Sequence, residues 1–239
     1  EVVDPKAVLA TNTSTIPIDE LASSLAHPER FLGIHFFNPV RKMPLVEIIR
    51  GTKTSDATIA AAFAYVKKIK KSPVLVRSGP GFLVNRLLLP YMSEAIELLL
   101  EGITPQAVDR VAKQFGMPMG PIQLYDVVGL DVAAYAEKTM ASAFPDRIPQ
   151  SSLVTDLVEA GRLGQKTECG FYSYRNKKRR AESDPTLNPF IDKYKKQDRD
   201  PDAEEIQDRL MLPMLLEACR VLDEQIVEDP RDVDLSLIL

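Results

Sequence analysis

The chain has 239 residues, 45% of them hydrophobic and 27% charged, a globular composition that excludes disordered and collagen-like classes and allows one large or two small domains. A formal net charge of −4 argues against a nucleic-acid-binding surface, and no apolar run reaches the ~18 residues of a membrane span. Two cysteines, Cys169 and Cys219, cannot build a disulfide framework and suit a reduced compartment, while two histidines, His27 and His35, exclude a multi-histidine metal site.

The first third alternates strands and helices. Residues Ala7 to Asn12 read as a strand, and Ile18 to Ala26 as a short helix introduced by Thr15 and Pro17. Phe31 to Phe36 and Leu45 to Ile49 are β-rich runs bounded by prolines and Gly51. Ser55 caps a helix predicted over Asp56–Lys71, with Ile59, Ala62, Phe63, Val66 and Ile69 on one face. Val74 to Val76 is the next strand. The pattern is that of an α/β sheet of which the chain holds the later part.

Gly79-Pro80-Gly81 marks a change of character. Phe82 to Glu101 reads as one long apolar helix interrupted by Pro90, with Asn85 one turn in. Thr104–Phe115, Pro121–Val128, Asp131–Ala143 and Ser152–Ala160 are helix-like, and Gly170 to Tyr174 is the one clear strand signal. Arg175 to Arg180 is a basic run, read as a solvated linker rather than an anion-binding patch because the chain as a whole is acidic. The expected division is an α/β part over 1–78, a helical domain over 79–182 and a second helical unit over 183–239.

That second unit follows from a repeat. Arg86-Leu87-Leu88-Leu89-Pro90 recurs as Arg209-Leu210-Met211-Leu212-Pro213, and the same offset relates Glu94-Ala95 to Glu217-Ala218, Leu99 to Leu222, Glu101 to Glu224 and Ile103 to Ile226. After a short slip, Pro105 and Asp109 match Pro230 and Asp234. Amphipathic helices imitate one another easily, but a shared mid-helix proline, which removes a backbone donor and clashes with the preceding turn, is uncommon. The chain opens at Glu1 without methionine and stops at Leu239 in an apolar segment, which reads as a fragment with the second unit truncated. Missing targeting signals then carry little meaning.

His35 ends an apolar strand just before Asn38-Pro39, a turn signal, and Glu47 lies in the next strand between Val46 and Ile48. A carboxylate in a half-buried strand is costly unless paired. The short connection makes a His35–Glu47 pair geometrically plausible; a core histidine with an unrelated edge-strand glutamate fits the residues too. Asn12-Thr13-Ser14-Thr15 sits at a strand-to-helix junction, where a plain cap and an anion-facing site are both open. Asn85 needs a partner in its apolar helix, whether structural or functional.

The strings Thr11-Asn12-Thr13-Ser14, Gly33-Ile34-His35-Phe36-Phe37-Asn38-Pro39, Leu45-Val46-Glu47-Ile48-Ile49, Gly79-Pro80-Gly81-Phe82-Leu83-Val84-Asn85-Arg86 and Met117-Pro118-Met119-Gly120-Pro121 resemble the 3-hydroxyacyl-CoA dehydrogenase family. The resemblance runs from near residue 7 to near residue 174, about seven-tenths of the chain. It implies the C-terminal part of a Rossmann-type NAD-binding domain followed by the family's helical domain. The duplicated unit resembles the larger multifunctional fatty-acid oxidation proteins, which carry an enoyl-CoA hydratase domain upstream that this chain does not contain.

The resemblance implies NAD-dependent oxidation of (S)-3-hydroxyacyl-CoA to 3-oxoacyl-CoA in fatty-acid β-oxidation. It makes His35 the catalytic base and Glu47 its acidic partner. Ser14 and Asn85 match groups that bind the oxygen-bearing end of the substrate, and Ser14 the cofactor as well. Asn38 matches a position near the nicotinamide, and Lys166, in Gly164-Gln165-Lys166-Thr167, a cofactor-contacting lysine. In the second unit Asp208 takes the place of Asn85, so that copy is expected to be architectural. Expected partners are the acyl-CoA substrate, a thiolase subunit and, within the chain, each helical unit for the other, with no nucleic acid. Bacterial cytoplasm suits such a protein, with peroxisome or mitochondrion open.

One departure stands out. The family's Gly-rich phosphate-binding turn has no counterpart among the eleven glycines: Gly79-x-Gly81 has Val84 where a third glycine should stand and does not open a βαβ unit. The isolated chain is therefore expected to bind NAD poorly and turn over little. Two other readings stay open: a non-catalytic protein of the same ancestry, and an NAD(P)-linked dehydrogenase of a hydroxy acid without coenzyme A.

Overall fold

The computed structural model describes residues 3–4, 6–14, 16–147, 152–176 and 180–239. Thr15, expected to introduce the first helix, and Lys177–Arg179 of the basic run lie outside the described residues. The chain divides into two compact units, Glu1–Arg86 with Glu217–Leu239, and Leu87–Leu216.

The first unit is built on β1 (Leu9–Thr11), α1 (Ile18–Ala22), β2 (Phe31–Phe36), β3 (Leu45–Arg50), α2 (Asp56–Lys68) and β4 (Ser72–Arg77). The strands lie in the order β1-β2-β3-β4. β1 pairs parallel with β2 and β3 parallel with β4, because a helix intervenes in each case; residues 37–44 contain none, so β2 and β3 pair antiparallel. Every residue of β2 and β3 but the last is buried, which accounts for their unbroken apolar runs. Leu32, Ile34, Val46 and Ile48 pack on Ile59, Ala62 and Val66 of α2. Gly33 is required: a Cβ there would stand 2.8 Å from Ile18 Cδ1 and 3.0 Å from Ile49 Cβ.

Two helices are shorter than the sequence suggests. α1 stops at Ala22 rather than Ala26, where turn hydrogen bonds from Ser23 N to Glu20 O and from Leu25 N to Ala22 O replace the helical ladder. α2 stops at Lys68 rather than Lys71, because Lys70 turns left-handed (φ 61°) and Lys71 N bonds back to Val66 O. Ile69, expected on the apolar face, is consequently exposed.

The remaining helices are α3 (Val84–Leu100), α4 (Pro105–Phe115), α5 (Pro121–Val128), α6 (Leu130–Ala143), α7 (Ser152–Glu159), α8 (Asn188–Tyr194), α9 (Ala203–Asp223) and α10 (Pro230–Ile238). α3 begins two residues later than expected, so Asn85 is its second residue rather than a turn inside it. The repeat is visible in the helices: α3 contains Pro90 and α9 contains Pro213, and Pro105 and Pro230 each open the helix that follows. α8 carries few apolar residues, Phe190 and Ile191 among them, and no helix is expected at this place from the sequence.

The expected strand at Gly170–Tyr174 does not form. Buried Asp126 accepts hydrogen bonds from Phe171 N at 2.8 Å, Tyr172 N at 2.9 Å and Tyr174 Oη at 3.0 Å, and this pulls the segment into a turn with isolated bridges. Buried Asp109 plays a parallel part at the head of α5, accepting from Ile122 N, Gln123 N and Tyr172 Oη. Among the described residues no helix is long and apolar enough to cross a membrane, and no group of three or more His, Cys, Asp or Glu side chains could hold a metal ion.

Candidate active site

The register of the β2–β3 hairpin sets His35 directly opposite Glu47. Directly opposed residues of an antiparallel pair share a face, with Cβ atoms ~4.5–5.5 Å apart. His35 Nδ1 accordingly lies 2.7 Å from Glu47 Oε2, with His35 only 6% exposed and Glu47 fully buried.

The other carboxylate oxygen, Oε1, accepts from Leu83 N at 3.1 Å and Val84 N at 2.9 Å. These amides head α3, where backbone donors have no partner within the helix. Gly81 (φ 72°) and Phe82 (φ 52°) make the left-handed turn that aims them at Glu47. Such a backbone is unfavourable for a phenylalanine, and burial of its ring beside the His35 imidazole offsets the strain. Three donors thus satisfy a carboxylate that would otherwise be costly to bury.

With Nδ1 donating to Glu47, the lone pair of the neutral ring sits on Nε2. Among the described residues Nε2 has no protein partner. The ring meets Phe37 edge-on, centroids 4.6 Å apart, and a tilted Phe82 ring at 5.9 Å. The arrangement fixes tautomer and orientation together and leaves one basic nitrogen available.

Asn85 donates from Nδ2 to the carbonyl of Ser14 at 3.1 Å, and Asn12 Oδ1 accepts from Phe36 N at 3.2 Å. The segment after β1 is thereby tied to the end of β2 and to the first turn of α3. Ser14, His35, Glu47 and Asn85 all belong to the first unit. Asn38 is exposed in the β2–β3 connection, joined to Pro39 by a cis peptide, and has no place in this hydrogen-bonded set. Lys166 lies in the second unit and is ion-paired with Asp131. The amides of Leu83 and Val84 belong to the site although the sequence does not single them out; the signal available is the Gly79-Pro80-Gly81 turn opening a helix.

The residues present fit the reacting end of a nicotinamide cofactor better than its phosphate end. His35 Nε2 offers a base, and Asn85 holds the Ser14 carbonyl in the same compact unit, whereas no Gly-x-Gly-x-x-Gly turn is among the glycines of the chain. Fold and site together define a class, α/β proteins with a helical part after the sheet and a buried His–Glu pair at the sheet's antiparallel hairpin. Residues 1–79 match the 3-hydroxyacyl-CoA dehydrogenase NAD binding domain, and residues 81–174 match the C-terminal domain of the same enzymes. The chain belongs to the 3-hydroxyacyl-CoA dehydrogenase family.

Solved structures agree. The (S)-3-hydroxybutyryl-CoA dehydrogenase PaaH1 of Ralstonia eutropha is 41% identical with a TM-score of 0.69, over 73% of this chain and 63% of that one. The 3-hydroxybutyryl-CoA dehydrogenase of Escherichia coli K12 is 25% identical with a TM-score of 0.83, over 99% of this chain and 66% of that one. The dehydrogenase part of multifunctional enzyme 1 from C. elegans is 31% identical with a TM-score of 0.67, over 99% of this chain and 54% of that one. The chain spans less than two thirds of the length of each of these relatives.

Proposed function

We propose that these residues serve the NAD-linked interconversion of (S)-3-hydroxyacyl-CoA and 3-oxoacyl-CoA, as the dehydrogenase part of a multifunctional fatty-acid oxidation protein. The observation that carries this reading is the buried 2.7 Å contact between His35 Nδ1 and Glu47 Oε2, which leaves Nε2 as a base of fixed orientation. Nε2 takes the proton of the 3-hydroxyl group, and Glu47 balances the positive charge that appears on the imidazole. The Leu83 and Val84 amides keep the carboxylate in place during that transfer. Asn85 and Ser14 orient the oxygen-bearing end of the acyl group. Ser14 and Asn38 would hold the nicotinamide end of NAD, which would supply the hydride acceptor for C3.

General-base catalysis of this kind is worth ~10²–10⁴-fold in rate. The two helical units pair within the chain, a reading supported by ion pairs that α3 and α9 exchange between Arg86 and Glu217 and between Arg209 and Glu94. Because the chain lacks the glycine-rich turn, Glu1–Leu239 alone is expected to bind NAD weakly and to turn over little.

The test is reduction of acetoacetyl-CoA by NADH, in a protein that joins these residues to a glycine-rich turn, beside the same protein carrying His35→Gln. A loss of at least about 10²-fold in the variant supports the reading. Equal activity in both would overturn it.

A further inference from the structure

Among the described residues Arg86 is the largest fully buried side chain. Its Nε donates to Glu217 Oε1 at 2.7 Å, and its Nη2 stands 2.7 Å from Glu224 Oε2. Glu217 is itself steadied by Arg220 Nη1 at 3.0 Å. Arg86 follows Asn85 directly and lies in the same first turn of α3 as Val84, whose amide holds Glu47. A guanidinium clamped by two carboxylates fixes that turn in rotation and in height. Well-packed apolar side chains commonly serve stability as well as a buried ion pair does, so stability alone does not account for this cluster.

We propose that Glu217 and Glu224 are positioning residues for the His35–Glu47 pair. They act through Arg86 on the first turn of α3, through its amides on Glu47, and through Glu47 on the imidazole. Both glutamates come from the C-terminal stretch of the sequence repeat, which has Asp208 where the first stretch has Asn85 and whose residues from Glu217 onward belong to the first compact unit. That stretch then serves the site of the first stretch instead of carrying one. The inference rests on the reading of His35 as the base.

A matched control exists inside the chain. Glu94 is the repeat-mate of Glu217 and bonds Arg209, both of them in the second compact unit, Leu87–Leu216. Glu217→Gln, Glu224→Gln, Glu94→Gln and His35→Gln are compared in the complete dehydrogenase. Steady-state reduction of acetoacetyl-CoA is measured together with nitrogen-15 NMR of the histidine side chains, where the His35 Nδ1 proton is identified by its loss in His35→Gln. Glu217→Gln is expected to lower kcat by about 10-fold or more with KM changed less than about 2-fold, and to speed solvent exchange of the Nδ1 proton by about 10-fold. Glu94→Gln is expected to leave kcat, KM and exchange within about 2-fold of the parent.

Should Glu217→Gln not fold, Glu224→Gln at the half-exposed end of the cluster gives the same comparison. Unchanged kcat and exchange in the glutamine variants, or equal losses in Glu94→Gln, would overturn the proposal. Full activity in His35→Gln would sink the base reading instead, and the exchange rate would still report whether Glu217 orders the pair.

Discussion

Arg86 and Arg209 hold matching places in two stretches of repeated sequence, and each is bound by glutamates from the other stretch. Arg86 meets Glu217 and Glu224, while Arg209 meets Glu94 and Glu101; one sequence offset relates all three positions of each set. The surroundings differ. The Arg86 and Glu217 side chains are 2% and 3% exposed, whereas those of Arg209 and Glu94 are both 21% exposed. Removing one partner of a buried pair strands the other charge, and water relieves that cost where it can reach. Arg86→Met is therefore expected to destabilise by about 3–5 kcal/mol and Arg209→Met by about 1–2 kcal/mol. Urea unfolding of the two variants checks this, and equal losses would contradict it.

Glu47→Gln separates the two duties of that carboxylate. A glutamine oxygen can still accept from the Leu83 and Val84 amides, but its NH₂ group, turned toward His35, can only donate. The imidazole must then present a lone pair at Nδ1 and carry its proton on Nε2, which is the wrong tautomer for a base. The expected outcome is a folded protein with kcat reduced on the order of 10²–10⁴-fold and little change in KM. A variant retaining more than about a tenth of the parent kcat would show that the tautomer does not matter.

Much of this geometry could be read from residues, for physical reasons. The connection between Phe36 and Leu45 is too short for a crossover helix, so β2 and β3 had to pair antiparallel with His35 and Glu47 near one another. The shared Pro90 and Pro213 exposed the helical repeat, since few helices tolerate an interior proline. What failed depended on distant partners. Gly170–Tyr174 carries the aromatic composition of a strand, yet Asp126, far away in sequence, takes the amides a strand would have used. Likewise the hold of the α3 amides on Glu47 depends on the left-handed turn at Gly81 and Phe82, and a phenylalanine gives no local hint of that conformation.

Gly170 is where that distant partner can be tested. A Cβ at this position would stand 1.8 Å from Asp126 Oδ1, an atom fixed by the Phe171 amide. Neither side can yield without breaking a buried hydrogen bond. Gly170→Ala is expected to cost about 2–4 kcal/mol, read as a lowered urea midpoint. Gly161→Ala serves as comparison, because no atom lies within 4 Å of its Cβ and the only penalty is the positive φ of 74°. A loss at Gly170 no greater than at Gly161 would show that the Asp126 cluster adapts.

The helical unit also carries a pH dependence. Burial pushes the Asp126 carboxyl up to about 6, against the lowering effect of its hydrogen bonds, and pushes Glu137 up to about 7, against the bond it accepts from Tyr125. Both values lie above those of the unfolded chain, so the folded state binds these protons more tightly. Their contribution to stability is complete below about pH 4 and is lost as pH rises through 6 and 7. Asp184 works in the opposite sense. Hydrogen bonds from Thr186 and the Arg162 guanidinium outweigh its desolvation and hold it at about 2, so its contribution disappears only in stronger acid. Glu137→Gln keeps an oxygen for the Tyr125 hydroxyl and removes the titration. The variant should match the parent in thermal midpoint near pH 5 and exceed it near pH 8. A difference between the two proteins that stays constant across that range would place the pH dependence elsewhere.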